Sequence, residues 1–249
     1  MNAAQLVLVS GAGLVGGFVN SIAGGGSLLL FPALVASGMG TVAANVTNSV
    51  ALWPGYIGNV VALGPEDRPG RSYRWVFLTA AVGAGAGCAL LLLTPASAFD
   101  VVVPFLIIGA SLLLAFQPRI KRALGGRAAD HRRYLLTGTW LGGLYGGYFG
   151  GGLGVILMAL LGLTVAAPLT RVNALKGVLQ LLVATVSLLV FALFGPVDWV
   201  AALLIAPLSL LGGVLGGRLV RRLSEPVLRA FVVVFGIAVG VWLAIRAFA

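Results

Sequence analysis

The sequence predicts an all-α, polytopic membrane protein built from two repeats, and three observations carry that prediction. Only 9% of the 249 residues are charged. Soluble domains carry about 25% charge, so this chain lacks the polar side chains to coat a water-facing surface. Mean hydropathy is +1.09, and several uninterrupted apolar stretches reach the roughly 20 residues that cross hydrocarbon. The third observation is that the second half of the chain repeats the pattern of the first.

The apolar segments fall at 5–22, 27–38, 43–63, 75–94 and 99–117, then at 134–149, 153–163, 167–195, 198–217 and 227–248. They delimit a first membrane repeat over 1–118, a basic connection over 119–133 and a second membrane repeat over 134–249. The opening residues Met1 to Gln5 carry no basic region, so the first stretch reads as a retained segment rather than a cleaved leader. Between the halves, Leu14 to Phe18 answers Leu144 to Tyr148, and Asn48 answers Asn173. The pair Gly83/Gly87 likewise answers Gly212/Gly216.

The second segment of each half is too short to span. About 12 helical residues rise about 18 Å, against a hydrocarbon core of about 30 Å. Each follows a triple glycine, Gly24 to Gly26 and Gly150 to Gly152, which disfavours helix. Exposed backbone survives in a membrane only where protein buries it or water fills a cavity beside it. Each repeat is therefore expected to hold about four full transmembrane helices and one short broken or re-entrant segment. Matching interrupted segments in two halves are a mark of secondary transporters, with the halves inverted. The glycines have a plainer reading as close-packing positions, as at Gly13/Gly17, Gly142/Gly146 and Gly213/Gly217.

The net charge of +10 resides mainly in arginines of short loops. These are Arg68/Arg71/Arg74, Arg119 to Arg133, and Arg218/Arg221/Arg222. The positive-inside rule accounts for them, which removes the need for a nucleic-acid partner. Five crossings per half would put all three clusters in the cytoplasm and both termini outside. The loops near Pro95 and Asp198 carry almost no Lys or Arg, as opposite orientation of the halves requires.

Catalytic and cofactor motifs are weak. Gly11-Ala12-Gly13-Leu14-Val15-Gly16 matches a dinucleotide fingerprint in letters alone, since it follows no strand and no acidic residue stands about 20 positions on. The lone histidine, His131, sits in the basic connection, and the single Cys88 has no metal-ligand cluster around it. Intramembrane catalysis needs a nucleophile–base or metal constellation that the sequence does not supply. No enzyme, cofactor or metal site is expected.

Polar residues inside the apolar stretches are more informative, because they are costly there and usually face a cavity. Asn20 and Ser21 precede the first triple glycine and Ser27 follows it. Asn45 and Asn48 lie three apart on one helix face, as do Asn173, Lys176 and Gln180 at i, i+3 and i+7. Tyr145 and Tyr148 precede the second triple glycine. Such residues also serve as interhelical glue worth about 0.6 kcal/mol each, and both readings stand at this stage.

At these positions the chain resembles the TauE/SafE family, also called the toluene sulfonate uptake permease family. The resemblance lies in Gly16 to Gly26 with Pro32, Ala44 to Ser49, Gly143 to Gly154, and Gly195-Pro196-Val197-Asp198-Trp199. It covers nearly the whole chain and implies a permease of the bacterial inner (plasma) membrane moving sulfite, organosulfonates or related organic anions. Two departures are evident. Met158 stands where Pro32 stands in the first half, and Ala51 occupies the place matching Lys176.

The expected substrate site is a central one between the repeats. It comprises Asn20, Ser21, Gly24, Gly25, Gly26, Ser27, Asn45, Asn48, Tyr148, Gly150, Gly151, Gly152, Asn173, Lys176 and Gln180. Backbone N–H groups at the glycines would favour an anion. Asn48 and Asn173 would donate to its oxygens, Lys176 would neutralise it, and Arg171 would mark the cytoplasmic mouth. Gly25 and Gly151 are the positions expected to need backbone freedom. A passive anion channel and a non-transporting membrane scaffold are the rival readings. Glu66, Asp67, Asp100, Asp130, Asp198 and Glu225 all lie near segment ends, so no coupling group is assigned. The oligomeric state is open, a homodimer included.

Overall fold

A computed structural model describes residues 3–61, 70, 73–123, 132–219 and 225–248. Glu66, Asp67, Arg68, Arg71, Asp130, His131, Arg221 and Arg222 lie outside the described residues. Among the described residues, ten helices stand at the ten apolar segments. They are α1 Ala3–Ala23, α2 Ser27–Ala36, α3 Thr41–Val61, α4 Arg74–Leu93 and α5 Ala96–Ala123, then α6 Arg132–Tyr148, α7 Leu153–Thr164, α8 Leu169–Phe194, α9 Trp199–Leu219 and α10 Glu225–Phe248. Among the described residues, α1, α4, α5, α8, α9 and α10 contain windows long and apolar enough to cross a membrane. The chain is a multi-pass membrane protein.

The basic connection is shorter than the sequence suggested. Pro118 does not end α5, which continues to Ala123, and α6 begins at Arg132. A proline removes one ladder hydrogen bond, and transmembrane helices tolerate that loss where neighbouring groups re-satisfy the freed carbonyl.

Small residues set the tightest packing, and the closest approaches between long helices run between the halves. A Cβ on Gly83 or Gly87 of α4 would collide with the Trp140 or Leu144 carbonyl of α6. A Cβ on Gly17 of α1 would collide with the Ser209 carbonyl of α9, and one on Gly212 of α9 with the Leu14 carbonyl of α1. With no hydrophobic drive between helices in lipid, such backbone approach is what supplies dispersion contact. Ser21 adds a hydrogen bond, donating to the Gly213 carbonyl at 2.7 Å.

The same contacts fix helix directions. Gly13 meets Ile205 and Gly17 meets Ser209, so α1 and α9 run parallel. Gly143 meets Ala80 and Gly147 meets Ala84, so α4 and α6 run parallel. Thr47 bonds Asp198 and Gly58 meets Gly213, so α3 is parallel to α9. Val46 meets Gly195 and Trp53 bonds Thr185, so α3 is antiparallel to α8. Ser111 meets Gly236 and Ile108 meets Gly240, so α5 and α10 are antiparallel. Helix by helix, the second five run opposite to the first five.

The short helices are hairpin returns. Gly16 meets Gly26 while Gln5 donates to the Ser37 carbonyl, so α2 folds back along α1. Gly138 meets Leu160 and Gly146 meets Leu153, so α7 folds back along α6. The expected count of five crossings per half is therefore corrected to three net crossings. Each hairpin returns toward the end it left, as the Gln5–Ser37 and Gly138–Leu160 contacts show, and a helix of 10 or 12 residues is too short to cross on its own. Five and three share parity, so the charge distribution is unaffected. Arg74, Arg119, Arg132, Arg133, Arg171 and Arg229 stand at one end of the bundle, and Asp100, Asp198 and Arg246 at the other.

Two glycines only two residues apart, on different faces of α4, distinguish packing from mere flexibility. Nothing stands within 4 Å of a Cβ at Gly85, whereas Gly87 faces the α6 backbone. Gly85→Ala should leave the thermal unfolding of detergent-purified protein unchanged or raised. Gly87→Ala should lower it by the equivalent of about 1–3 kcal/mol, the usual cost of overpacking.

Candidate functional site

The two glycine loops meet at the centre of the bundle. Gly24 ends α1 and Gly150 ends α6, both in left-handed backbone with φ of +75° and +76°. A Cβ on Gly24 would stand 3.2 Å from the Cα of Gly154, in the first turn of α7 after the other loop. The Gln180 side chain from α8 lies over this junction, its Nε2 2.9 Å from where a Cβ on Gly154 would be. Because α2 and α7 start here, the positive ends of two helix dipoles converge on the junction.

A cavity opens beside it, between α3 and α8. Its polar lining is Ser27, Ser49, Tyr56, Gln180 and Ser187, closed by the backbone of Gly146 and Gly150 and by apolar Leu52, Leu153 and Val183. The Tyr56 hydroxyl lies beside the side chains of Asn20 and Ser27. Asn20 is 3% exposed, and its Nδ2 has no hydrogen-bond partner among the described residues. The volume of about 20 Å³ holds about one water, so the site is nearly closed in this conformation. No lining side chain is charged.

The expected site residues divide. Ser27, Gly150 and Gln180 line the cavity, Asn20 adjoins it through Tyr56, and Gly24 forms the loop junction. Asn45 and Asn48 are fully buried on α3, and the Asn45 Nδ2 donates to the Tyr148 carbonyl at 2.8 Å. The Tyr148 ring packs edge-on against Phe99. Gly26 seats against the Gly16 carbonyl, Gly152 caps α7 against Ala110, and the Gly151 carbonyl accepts from the Tyr145 hydroxyl.

Four expectations sit differently in the structure. Ser21 lies off the cavity lining, its hydroxyl donating to the carbonyl of Gly213 on α9. Asn173 is exposed and Lys176 half-buried, and neither lines the cavity. They share a face with Gln180, but Asn173 lies about 10 Å and Lys176 about 6 Å along the axis toward the basic end. The sequence repeat pairs Asn48 with Asn173, whereas by position in their helices Asn45 and Asn173 are each fifth, and Asn48 and Lys176 each eighth. Finally, Gly25 makes only ordinary contacts with Leu114, Val232 and Leu28, so the backbone demand falls on its neighbour Gly24.

Sequence reasoning missed Tyr56 and Ser187 and left Ser49 without a role. The signal was present: Ser49, Leu52 and Tyr56 recur at i, i+3 and i+7, and Gln180, Val183, Ala184 and Ser187 at i, i+3, i+4 and i+7. A wider cavity of about 520 Å³ lies at the opposite end from the basic cluster, lined among others by Thr41, Ser97, Asp100 and Arg246. There the Thr41 hydroxyl donates to Asp100 Oδ1 at 2.5 Å.

Two broken helices meeting beside a buried polar cavity define a polytopic membrane protein of the transporter class. The chain belongs to the TauE/SafE sulfite exporter family, whose model matches residues 9–243. It is 27% identical over 234 residues to a "probable membrane transporter protein" of Haemophilus influenzae, covering 92% of this chain and 90% of that one. It is 27% identical to the "probable membrane transporter protein ORF9" of a Sinorhizobium species, covering 92% and 88%. It is also 27% identical to the "probable membrane transporter protein YfcA" of Escherichia coli K12, covering 89% and 82%. No solved structure matches the chain.

The loop geometry predicts unequal tolerance. An alanine in left-handed backbone costs about 1–2 kcal/mol. Gly150→Ala should therefore lower the unfolding midpoint measurably, and Gly25→Ala should leave it near native. Equal midpoints would show that the triple glycines serve packing alone.

Proposed function

We propose that this protein is a secondary permease for a small anion, of the sulfite, organosulfonate or related organic anion class, and not an enzyme. It works in the bacterial inner membrane by alternating access around the central cavity, with its two halves as inverted copies. The observation that carries this reading is the cavity at the loop junction. Two helix N-termini, the unpartnered Asn20 Nδ2 and the side chains of Ser27, Tyr56 and Gln180 present donors in a place without a carboxylate. Preorganised donors out of water favour an anion. Lys176 and Arg171 lie successively further along α8 toward the basic end, and supply positive potential on the approach from that side. The basic end is cytoplasmic by the positive-inside rule.

Purified protein in proteoliposomes should take up labelled sulfite with saturation and counterflow. Gln180→Leu should reduce the flux at least tenfold, and Lys176→Ala should weaken apparent affinity about tenfold, or about 1.4 kcal/mol. Absence of any anion flux would leave a scaffold, and linear flux without counterflow would leave a channel. Both termini should lie outside the cytoplasm, so a C-terminal reporter active only in the cytoplasm should stay silent. Its activity would overturn the orientation.

A further inference from the structure

Asn45 and Asn48 hold side-chain oxygens to which no group donates among the described residues. Both residues are buried, at 0% and 1% exposure. The orientation of Asn45 is set by its Nδ2, which donates to the Tyr148 carbonyl at 2.8 Å. The orphaned atom is thus Oδ1, an acceptor that cannot exchange roles with its amide nitrogen. Asn48 follows three residues later, on the same face of α3. Buried polar atoms in native proteins are nearly always satisfied, so each exception requires a cause.

The surroundings say which cause. Tyr148 is the last residue of α6, so Asn45 touches the carbonyl end of a broken helix, which carries partial negative charge. An anion is repelled by two amide oxygens and a helix C-terminus, and a cation is attracted. The neighbourhood is dry: Ala44 and Val46 are fully buried, Phe149 packs on Phe31, and the Tyr148 ring packs on Phe99. A low local dielectric strengthens any charge held there. The ligand atoms are all neutral oxygens, which suits a hard ion. Without a carboxylate they do not neutralise a divalent one.

The other half supplies a second, independent pointer. At the matching fifth and eighth positions of α8 stand Asn173 and Lys176. Where α3 offers the Asn48 oxygen, α8 carries a tethered ammonium. Broken-helix transporters place cations at unwound carbonyls and helix C-terminal ends, and anionic groups at the N-terminal ends. Both kinds of end occur here within one loop, since α6 ends and α7 begins across Phe149 to Gly152.

We propose that Asn45 Oδ1, Asn48 Oδ1 and the carbonyl end of α6 bind a monovalent alkali cation. Resting on the permease reading above, the bound cation is the coupling ion that the absence of a deep carboxylate left unassigned. The test is thermal unfolding of the purified full chain in NaCl against choline chloride at constant ionic strength. The native protein should be stabilised saturably by Na⁺ alone. In Asn48→Ala the half-saturating Na⁺ concentration should rise at least tenfold. Should that variant fail to fold, Asn48→Asp provides the reading, because a carboxylate oxygen should lower the half-saturating concentration. Coincident NaCl and choline curves for the native protein would overturn the site and leave water as the partner of both oxygens. A Na⁺ effect unaltered in Asn45→Ala, Asn48→Ala and Asn48→Asp would overturn its location. Sulfite counterflow without any Na⁺ gradient judges the permease reading separately, and net sulfite flux indifferent to an imposed Na⁺ gradient would overturn the coupling role alone.

Discussion

Breaking a helix in the middle of a membrane exposes peptide groups that lipid cannot solvate, and the rest of this structure answers that constraint. Each unsatisfied group in hydrocarbon costs several kcal/mol, so the breaks after α1 and α6 must be sealed by protein. The seal is mutual, because each glycine loop packs on the other, with Gly24 against Gly154. It requires α2 to be buried along nearly its whole length, from Ser27 to Val35. It also admits a polar α3 at the core, where Asn45, Thr47 and Asn48 are buried, Asn45 bonded to the end of α6 and Thr47 to the backbone before α9.

The separation of charge follows from the same geometry. A broken helix turns one backbone into two facing ends of opposite partial charge. The N-terminal ends of α2 and α7 meet at the cavity, with Ser27, Tyr56 and Gln180 around it. The C-terminal end of α6 meets Asn45 instead. The bundle therefore provides electrostatically distinct places a few residues apart without a buried formal charge lining its central cavity. Apart from Lys176 on α8, formal charge among the described residues stands at the two ends, where water or headgroups solvate it.

Much of this was legible in the sequence. Apolar length located all ten helices, and the triple glycines located both breaks, because each signal is local. Gln180 and Ser27, which line the cavity, and Asn20 beside it stand out in the sequence because a polar side chain in an apolar run is conspicuous. Three things were not legible. Whether a short helix crosses or returns depends on what it packs against, and only contacts such as Gln5 with Ser37 decide that. Lys176 shares its helical face with Gln180, yet periodicity gives an angle about the axis and not a depth along it. Ser21 resembled a site residue because glue and ligand present the same hydroxyl, and its partner at Gly213 lies 192 residues away.

That separation has a consequence for how the chain comes to exist in its membrane. The glycine faces of α1 are complementary to α9 and those of α4 to α6, so covalent order and packing order disagree. During synthesis α1 enters the bilayer long before its mate is made, and its small-residue stripe must meanwhile rest against acyl chains. Insertion and assembly are thus separate stages here. The first five helices reach the bilayer with their best mating surfaces still unmatched, and native packing of α1 must wait until the ribosome has passed residue 212. A lipid environment that shields bare helix backbone during that interval is as much a requirement of this fold as the glycines themselves.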